Sequence, residues 1–350
     1  MWHSFPNDKN AKLWIDSKSS LKSAFALYNP YSKLPRLIKN IVNIIPDFIG
    51  NLPLKYLSPA KNIKQFESYK YNIDKILGID AIINITPGTK SKHQKTTVQI
   101  INNSITGYFL KISENTETIK LSKNEYLILN FLKNKKLSFS IPMAIFGDYI
   151  DSSYYLIQSA PLTRFKQSKQ CFNEAHEKAL IDLYNLGTTI SSLKDYILDI
   201  QGIINNTTFN DSKNLIQIIN EIDISNKMSE IQLSLSHGDF APWNILANKN
   251  DELFIFDWEH GNKTTPLLFD FFHFHYMIYK LLKQLGPEEI INHLDRLYYE
   301  KKYQKLFNHM KISKDQYNLY MKLYMISIII REINENNQPS EISLEVFKKL

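Results

Sequence analysis

The stretch Leu235-Ser236-His237-Gly238-Asp239-Phe240-Ala241-Pro242-Trp243-Asn244, followed by Phe256-Asp257-Trp258-Glu259, decides how the rest of the chain is read. Asn244 lies five residues beyond Asp239, and Asp257 thirteen beyond Asn244. Apolar runs precede both acids, Ile231 to Leu235 and Leu253 to Phe256, so each acid is expected where a short strand opens into a loop. Asn244-Ile245-Leu246-Ala247 reads as a strand leaving that loop, and Asp251 as the turn that sends the chain back toward Asp257.

An acid, an amide and a second acid at this spacing suit phosphoryl transfer from a magnesium nucleotide. That reaction asks the protein to hold an acceptor hydroxyl in line and to neutralise phosphate charge. A carboxylate within hydrogen-bond reach of the acceptor can take its proton, and Asp239 is the candidate for that role. Magnesium takes hard oxygen ligands and keeps several waters. Asn244 and Asp257 can supply such a pair, and Glu259 is close enough in sequence to touch the ion directly or through water. Alone, His-Gly-Asp is a turn tripeptide and Asp257 an ordinary strand-end acid; five positions in strand-loop-strand order outweigh that reading.

These residues resemble the aminoglycoside phosphotransferase and choline kinase group, whose members share the protein-kinase-like fold. The resemblance implies an α+β chain with a small β-rich N-lobe, a larger helical C-lobe and ATP or GTP with Mg2+ as co-substrate and cofactor. It also implies a lysine on a small-lobe strand and a glutamate on a helix. Lys111, in Tyr108 to Ile112, matches the first, and Glu125, opening a helical pattern with Leu129 and Leu132, the second; Glu114 and Glu117 are its rivals in a polar connection. Within the motif, His237 resembles a residue that shapes the loop by hydrogen bonding rather than the base. Asp270 matches an acid that steadies the catalytic loop from a following helix.

Ala81 to Ile85, Thr96 to Ile101 and Tyr108 to Ile112 read as small-lobe strands, with a hairpin turn over Asn102 to Gly107. Between the first two lies Thr86 to Lys95, where a glycine-rich, phosphate-covering turn is expected. Gly88 is its only glycine, and Lys90, Lys92 and Lys95 either compensate by charge or form a solvated loop. Ser140 to Gly147 and Tyr154 to Gln158 read as two more strands joined at Asp148 to Asp151. The second leads into a hinge whose backbone, around Gln158 to Ala160, would meet the adenine edge.

The expected division is an N-terminal extension over 1–75, an N-lobe over 76–158 and a helical C-lobe over 159–350. The C-lobe helices are expected over Phe172 to Leu193, Leu215 to Ile222, Leu267 to Leu285, Pro287 to Tyr299, Lys314 to Asn334 and Glu341 to Leu350. His273 and His275 suggest a metal pair, but residues i and i+2 of a helix point to different faces. In the extension, Leu37, Ile38, Ile41, Val42 and Ile45 stand at helical spacing beside Lys33, Arg36 and Lys39. Such a basic amphipathic helix packs on the enzyme's own body or lies on a membrane surface. Deleting residues 1–45 is expected to spare nucleotide binding. The extension and the Pro87-Gly88-Thr89 loop resemble a subgroup of phosphotransferase-like proteins associated with bacterial surface-polysaccharide synthesis.

At 350 residues, 43% hydrophobic and 22% charged, the chain is ordinary globular material with room for two or three core-bearing units. The net charge of +7 fits nucleic acid, anionic lipid or a phosphate-bearing substrate. No zinc-finger, RRM or helix-turn-helix signature is present, so no specific nucleic-acid partner is expected. No apolar run reaches the length of a membrane span, and residues 1–20 hold no secretory segment. The single Cys171 fits a reducing cytoplasm, with peripheral contact at the inner face of a membrane as the other reading.

The expected partner is a small-molecule or saccharide hydroxyl acceptor. A protein kinase is disfavoured because Gly238 stands where that family carries Arg, and Trp258 where it carries Phe-Gly. A nucleotidyl transferase on the same scaffold and a non-catalytic nucleotide-binding scaffold stay open, the latter because of the glycine-poor turn.

Overall fold

The structure, a computed structural model, describes all residues except 27–56, 62, 89–91, 93, 104, 168–169, 208, 210 and 226–227. The amphipathic helix expected over Leu34 to Ile45 lies outside the described residues, as does Lys90 of the loop. The chain forms two compact units, Met1–Asn130 with Pro142–Pro161, and Phe131–Ile141 with Leu162–Leu350.

The first unit is built on an antiparallel sheet of eight strands: β1 (Trp2–Phe5), β2 (Leu13–Asp16), β3 (Ser58–Pro59), β4 (Ile82–Thr86), β5 (Thr96–Asn102), β6 (Ile105–Ser113), β7 (Ala144–Ile150) and β8 (Ser153–Ser159). Their order across the sheet is β3-β1-β2-β4-β5-β6-β8-β7. Alternation of apolar and polar residues puts Ile83, Ile85, Val98, Ile100, Leu110 and Ile112 on one buried face. The helix α2 (Ile63–Leu77) covers that face with Phe66, Tyr69 and Ile73, after the short α1 (Leu21–Ala26). A further helix, α3 (Thr116–Leu132), follows β6.

Two expectations change here. The described residues of 1–75 are not a separate extension: β1 to β3 hydrogen-bond into the sheet, and Trp2, Leu13 and Ile15 are buried. Their pattern is too short to read as strands until a neighbouring edge pairs with them. The strand expected from Ser140 begins at Ala144 instead. Pro142 has no N–H to give a ladder, and Ser140 pairs with Phe254 in the other unit's own framework.

The second unit holds two three-stranded sheets, from β9 (Lys166–Gln167), β10 (Thr188–Ser192), β11 (Glu230–Ser236), β12 (Ile245–Ala247), β13 (Leu253–Ile255) and β14 (Asn262–Pro266), in the orders β10-β11-β14 and β13-β12-β9. Its helices are α4 (Glu174–Asn185), α5 (Leu193–Asn205), α6 (Ser212–Ser225), α7 (Phe269–Met277), α8 (Pro287–Leu297), α9 (Gln304–His309), α10 (Lys314–Asn336) and α11 (Glu341–Lys349). The long helix expected over Phe172 to Leu193 is therefore broken. Gly187, at φ +133°, ends it, and the β-branched Thr188, Thr189 and Ile190 that follow suit a strand. They pair with β11, leaving Ile190 66% exposed rather than in a buried helical stripe. Likewise the helix from Leu267 starts at Phe269 and loosens into a π turn over Ile278–Leu282.

Candidate active site

Strand β11 ends at Ser236 and hands the chain to the loop His237 to Asn244. Asp270, at the start of α7, holds the loop's first turn. One of its carboxylate oxygens accepts the His237 N–H (2.6 Å) and the other the Gly238 N–H (2.9 Å), as expected of an acid that steadies the loop. Burial pushes the Asp270 carboxyl up to about 6, against the pull of those two amides. Gly238 has φ +78°, and a Cβ there would overlap the His260 carbonyl. Glycine, where protein kinases carry Arg, is thus a steric requirement of this turn.

His237 is fully buried and serves the loop at both ring nitrogens. Nδ1 accepts the Asp239 N–H (3.2 Å), so the proton sits on Nε2, which donates to the Phe256 carbonyl (2.9 Å). Burial lowers its pKa to about 4, which keeps the ring neutral in this arrangement. The ring also packs 4.5 Å from Trp258. Both ring nitrogens of His237 are thus committed to backbone groups of the loop and of the strand end beside it.

Asp239 is half-buried, and its carboxylate is held from two sides. Asn244 Nδ2 donates to Oδ2 (2.7 Å) and to the Asp239 carbonyl (2.9 Å). His273 Nε2 meets Oδ1 at 2.8 Å, with Arg331 Nη1 3.6 Å away. Burial raises the carboxyl's pKa, but the hydrogen bond from His273 and the nearby positive charge outweigh it, and the group stays below the usual carboxylate range. Asp239 is ionised at neutral pH.

The Phe256 N–H donates to the Asn244 carbonyl (3.1 Å), which brings Asn244 beside the turn that carries Asp257. Asp257 takes the left-handed conformation at φ +69°, a strained state for a non-glycine residue. The next residue, Trp258, is fully buried, and its indole N–H donates to the Ile255 carbonyl (2.9 Å). One carboxylate oxygen of Asp257 and one of Glu259 lie within 4.8 Å of each other. With its amide nitrogen committed to Asp239, Asn244 has its amide oxygen to offer a cation. Two carboxylates and one amide oxygen are the hard donors that Mg2+ prefers.

In the first unit, Lys111 on β6 and Glu125 on α3 form an ion pair, Nζ to Oε2 at 2.7 Å and to Oε1 at 3.0 Å. Glu125 is completely buried in mid-helix, not at a helix start. Glu117 lies in the first turn of the same helix, and Lys111 selects Glu125 over it and Glu114. Gly88 has φ +69°, with a Cβ position 2.5 Å from the Lys95 carbonyl oxygen. The turn thus needs its one glycine where it stands. Gln158 is buried on β8, and the Ala160 N–H is committed to the Gly107 carbonyl (2.9 Å).

A cavity of about 520 Å³ opens in the second unit beside the loop. Ile200 and Ile203 of α5, Asn262 and Thr264 of β14, and Ile328 and Arg331 of α10 are among its lining residues. Two contributors to this site, Tyr324 and Arg331, escaped the sequence reading, and His273 entered it only as half of a disfavoured metal pair. Arg331 carried a faint signal, since arginine occurs only at 36, 164, 296 and 331, and here it interrupts the apolar run Ile328-Ile329-Ile330.

No protein-family model and no curated protein matches this chain. Solved structures do. Choline kinase LicA from Streptococcus pneumoniae is similar at a TM-score of 0.50 and 11% identity, over 82% of this chain and 97% of that one. The ADP-bound aminoglycoside phosphotransferase APH(2'')-Ib is similar at 0.47 and 13%, over 82% and 97%. A gentamicin complex of APH(2'')-IIa follows at 0.48 and 14%, over 81% and 93%. The likeness to the choline kinase shows the fold, protein-kinase-like, with an antiparallel N-lobe sheet and a helical C-lobe.

Proposed function

We infer that this chain is a phosphotransferase that moves the γ-phosphate of ATP or GTP to a hydroxyl of a small molecule or glycan precursor. The observation that carries the reading is the Asp239 carboxylate held between Asn244 and His273 in a loop braced by Asp270.

Asp239 accepts the hydrogen bond of the acceptor hydroxyl and takes its proton as the new P–O bond forms. Asn244, Asp257 and Glu259 would hold Mg2+, which when bound neutralises phosphate charge. Lys111 binds phosphate oxygens, and Glu125 keeps its ammonium in place. The Gly88 turn covers the phosphates, while the backbone near Gln158 and Ala160 meets the base. The cavity beside the loop receives the acceptor: its size is that of an ordinary small-molecule site, and its lining mixes apolar side chains with amides and hydroxyls.

The test is a screen of hydroxyl acceptors with γ-labelled ATP and GTP, beside the Asp239→Asn variant. Label transfer by the parent, lost by at least 10²-fold in a folded variant that still binds nucleotide, is the expected result. An active Asp239→Asn protein would remove Asp239 from its role. Product mass separates phosphate transfer from transfer of a nucleotidyl group. A non-catalytic scaffold would bind nucleotide and leave every acceptor unlabelled.

A further inference from the structure

We propose that His273, oriented by Tyr324, is a positioning residue for Asp239. The inference rests on the reading of Asp239 as the base and adds to it two residues that no motif marks.

His273 stands one turn into α7, 3% exposed, with each ring nitrogen facing one partner. Nε2 lies 2.8 Å from Asp239 Oδ1, and Nδ1 lies 3.2 Å from the Tyr324 hydroxyl. An ionised carboxylate only accepts hydrogen bonds, so the proton between His273 and Asp239 belongs to Nε2. Burial disfavours a second proton on the ring, which leaves Nδ1 an acceptor. Tyr324, 2% exposed, keeps its phenolic proton because burial disfavours the phenolate, and it donates to Nδ1. The tautomer of His273 is thus set by its two neighbours, and the direction of donation runs from Tyr324 through His273 to Asp239.

Helix α10 serves the same loop twice. Tyr324 and Arg331 are seven residues apart, two turns on one face. Tyr324 reaches His273, while Arg331 donates to the Gly238 carbonyl and sets its charge 3.6 Å from Asp239 Oδ1. Asn244 holds Oδ2. The carboxylate is therefore fixed in plane and rotamer before any acceptor arrives. A carboxylate has about four acceptor sites, so capacity for the acceptor hydroxyl remains. Fixing a reacting group in this way lowers the reorganisation needed at the chemical step, and a misplacement of about 1 Å can cost on the order of 10²-fold.

The test uses the full chain with two readouts. The first is release of phosphate from magnesium ATP with water as acceptor, measured for the parent, Asp239→Asn, His273→Leu and His273→Gln. His273→Leu should lower kcat on the order of 10²-fold with an unchanged KM for nucleotide. His273→Gln, whose amide N–H approximates Nε2–H, should recover part of that loss. The second readout is the imidazole 15N shifts of His273, which need no turnover. The Nε2–H tautomer at neutral pH is expected, with Tyr324→Phe moving the Nδ1 resonance. An Nδ1–H tautomer, or parent-like kcat in His273→Leu beside a dead Asp239→Asn, overturns the role of His273 alone. Full turnover in Asp239→Asn overturns the reading beneath it.

Discussion

Gly238 and Asp257 both have positive φ. At Gly238 the conformation is free for glycine and closed to anything larger, because a Cβ meets the His260 carbonyl. Gly238→Ala should therefore cost about 1–3 kcal/mol in backbone strain, with a further loss as Asp239 shifts. A lowered unfolding midpoint together with reduced turnover checks this; an unchanged midpoint would contradict the steric account. Asp257 shows the converse case. A charged residue adopts a conformation better suited to glycine, next to a Trp258 that is buried with its indole N–H on the Ile255 carbonyl. Asp257→Ala should weaken magnesium-dependent nucleotide binding at least tenfold while leaving metal-free binding alone, measured by titration with and without Mg2+.

Helix α7 resolves the two histidines that invite a metal reading. Two residues apart, they point to different faces, as helical geometry requires. His273 goes to Asp239, and His275 enters an aromatic cluster with Phe271, 4.8 Å between ring centroids, and with Phe172 and Tyr303. Between β6 and α3, Lys111 and Glu125 pair across a buried surface. Removing one member of such a pair strands charge in a poor solvent for it. Lys111→Met should cost about 3 kcal/mol of stability and most of the nucleotide affinity, read by denaturant unfolding and by nucleotide titration. Retained affinity would move the phosphate-binding role away from Lys111.

Across the whole molecule, the buried histidines set a pH limit. Burial holds His176 and His237 near 4 and His275 near 3, all below the ordinary histidine value. Their neutral forms contribute stability that is complete above the unfolded pKa of about 6.5 and is lost as pH falls toward the folded values. Each contributes about 1.4 kcal/mol per pH unit in that window. Against a total of roughly 5–15 kcal/mol, three such groups should bring unfolding on between about pH 6 and 4, offset in part by Asp270, whose raised carboxyl takes up a proton in the folded chain over the same range. A circular-dichroism acid titration that stays flat to pH 4 would refute this. Deleting residues 1–45 should destabilise the first unit rather than spare it, since β1 and β2 leave and the edge of β4 is bared. Each large apolar side chain lost from the core costs about 2 kcal/mol, and a midpoint equal to that of the full chain would restore the idea of a dispensable extension.

The order of Asp239, Asn244 and Asp257 along the chain was enough to give the strand-loop-strand frame of the loop, because those parts lie within about twenty residues and local strand and turn propensities position them; the α+β frame came with the resemblance that these residues carry. Lys111 and Glu125 were singled out because the resemblance implies a strand lysine and a helix glutamate, and the fold pairs them. Three features came only from folding: the sheet pairing of β1 and β2, the break at Gly187 that turned a helical stripe into an exposed strand, and the convergence of His273, Tyr324 and Arg331 on the loop. His273 and Asp239 are 34 residues apart, and Arg331 and Gly238 are 93 apart. Such contacts depend on which helix faces meet in a packed core. No local periodicity encodes that choice, so these residues read as ordinary core and surface until the chain is closed.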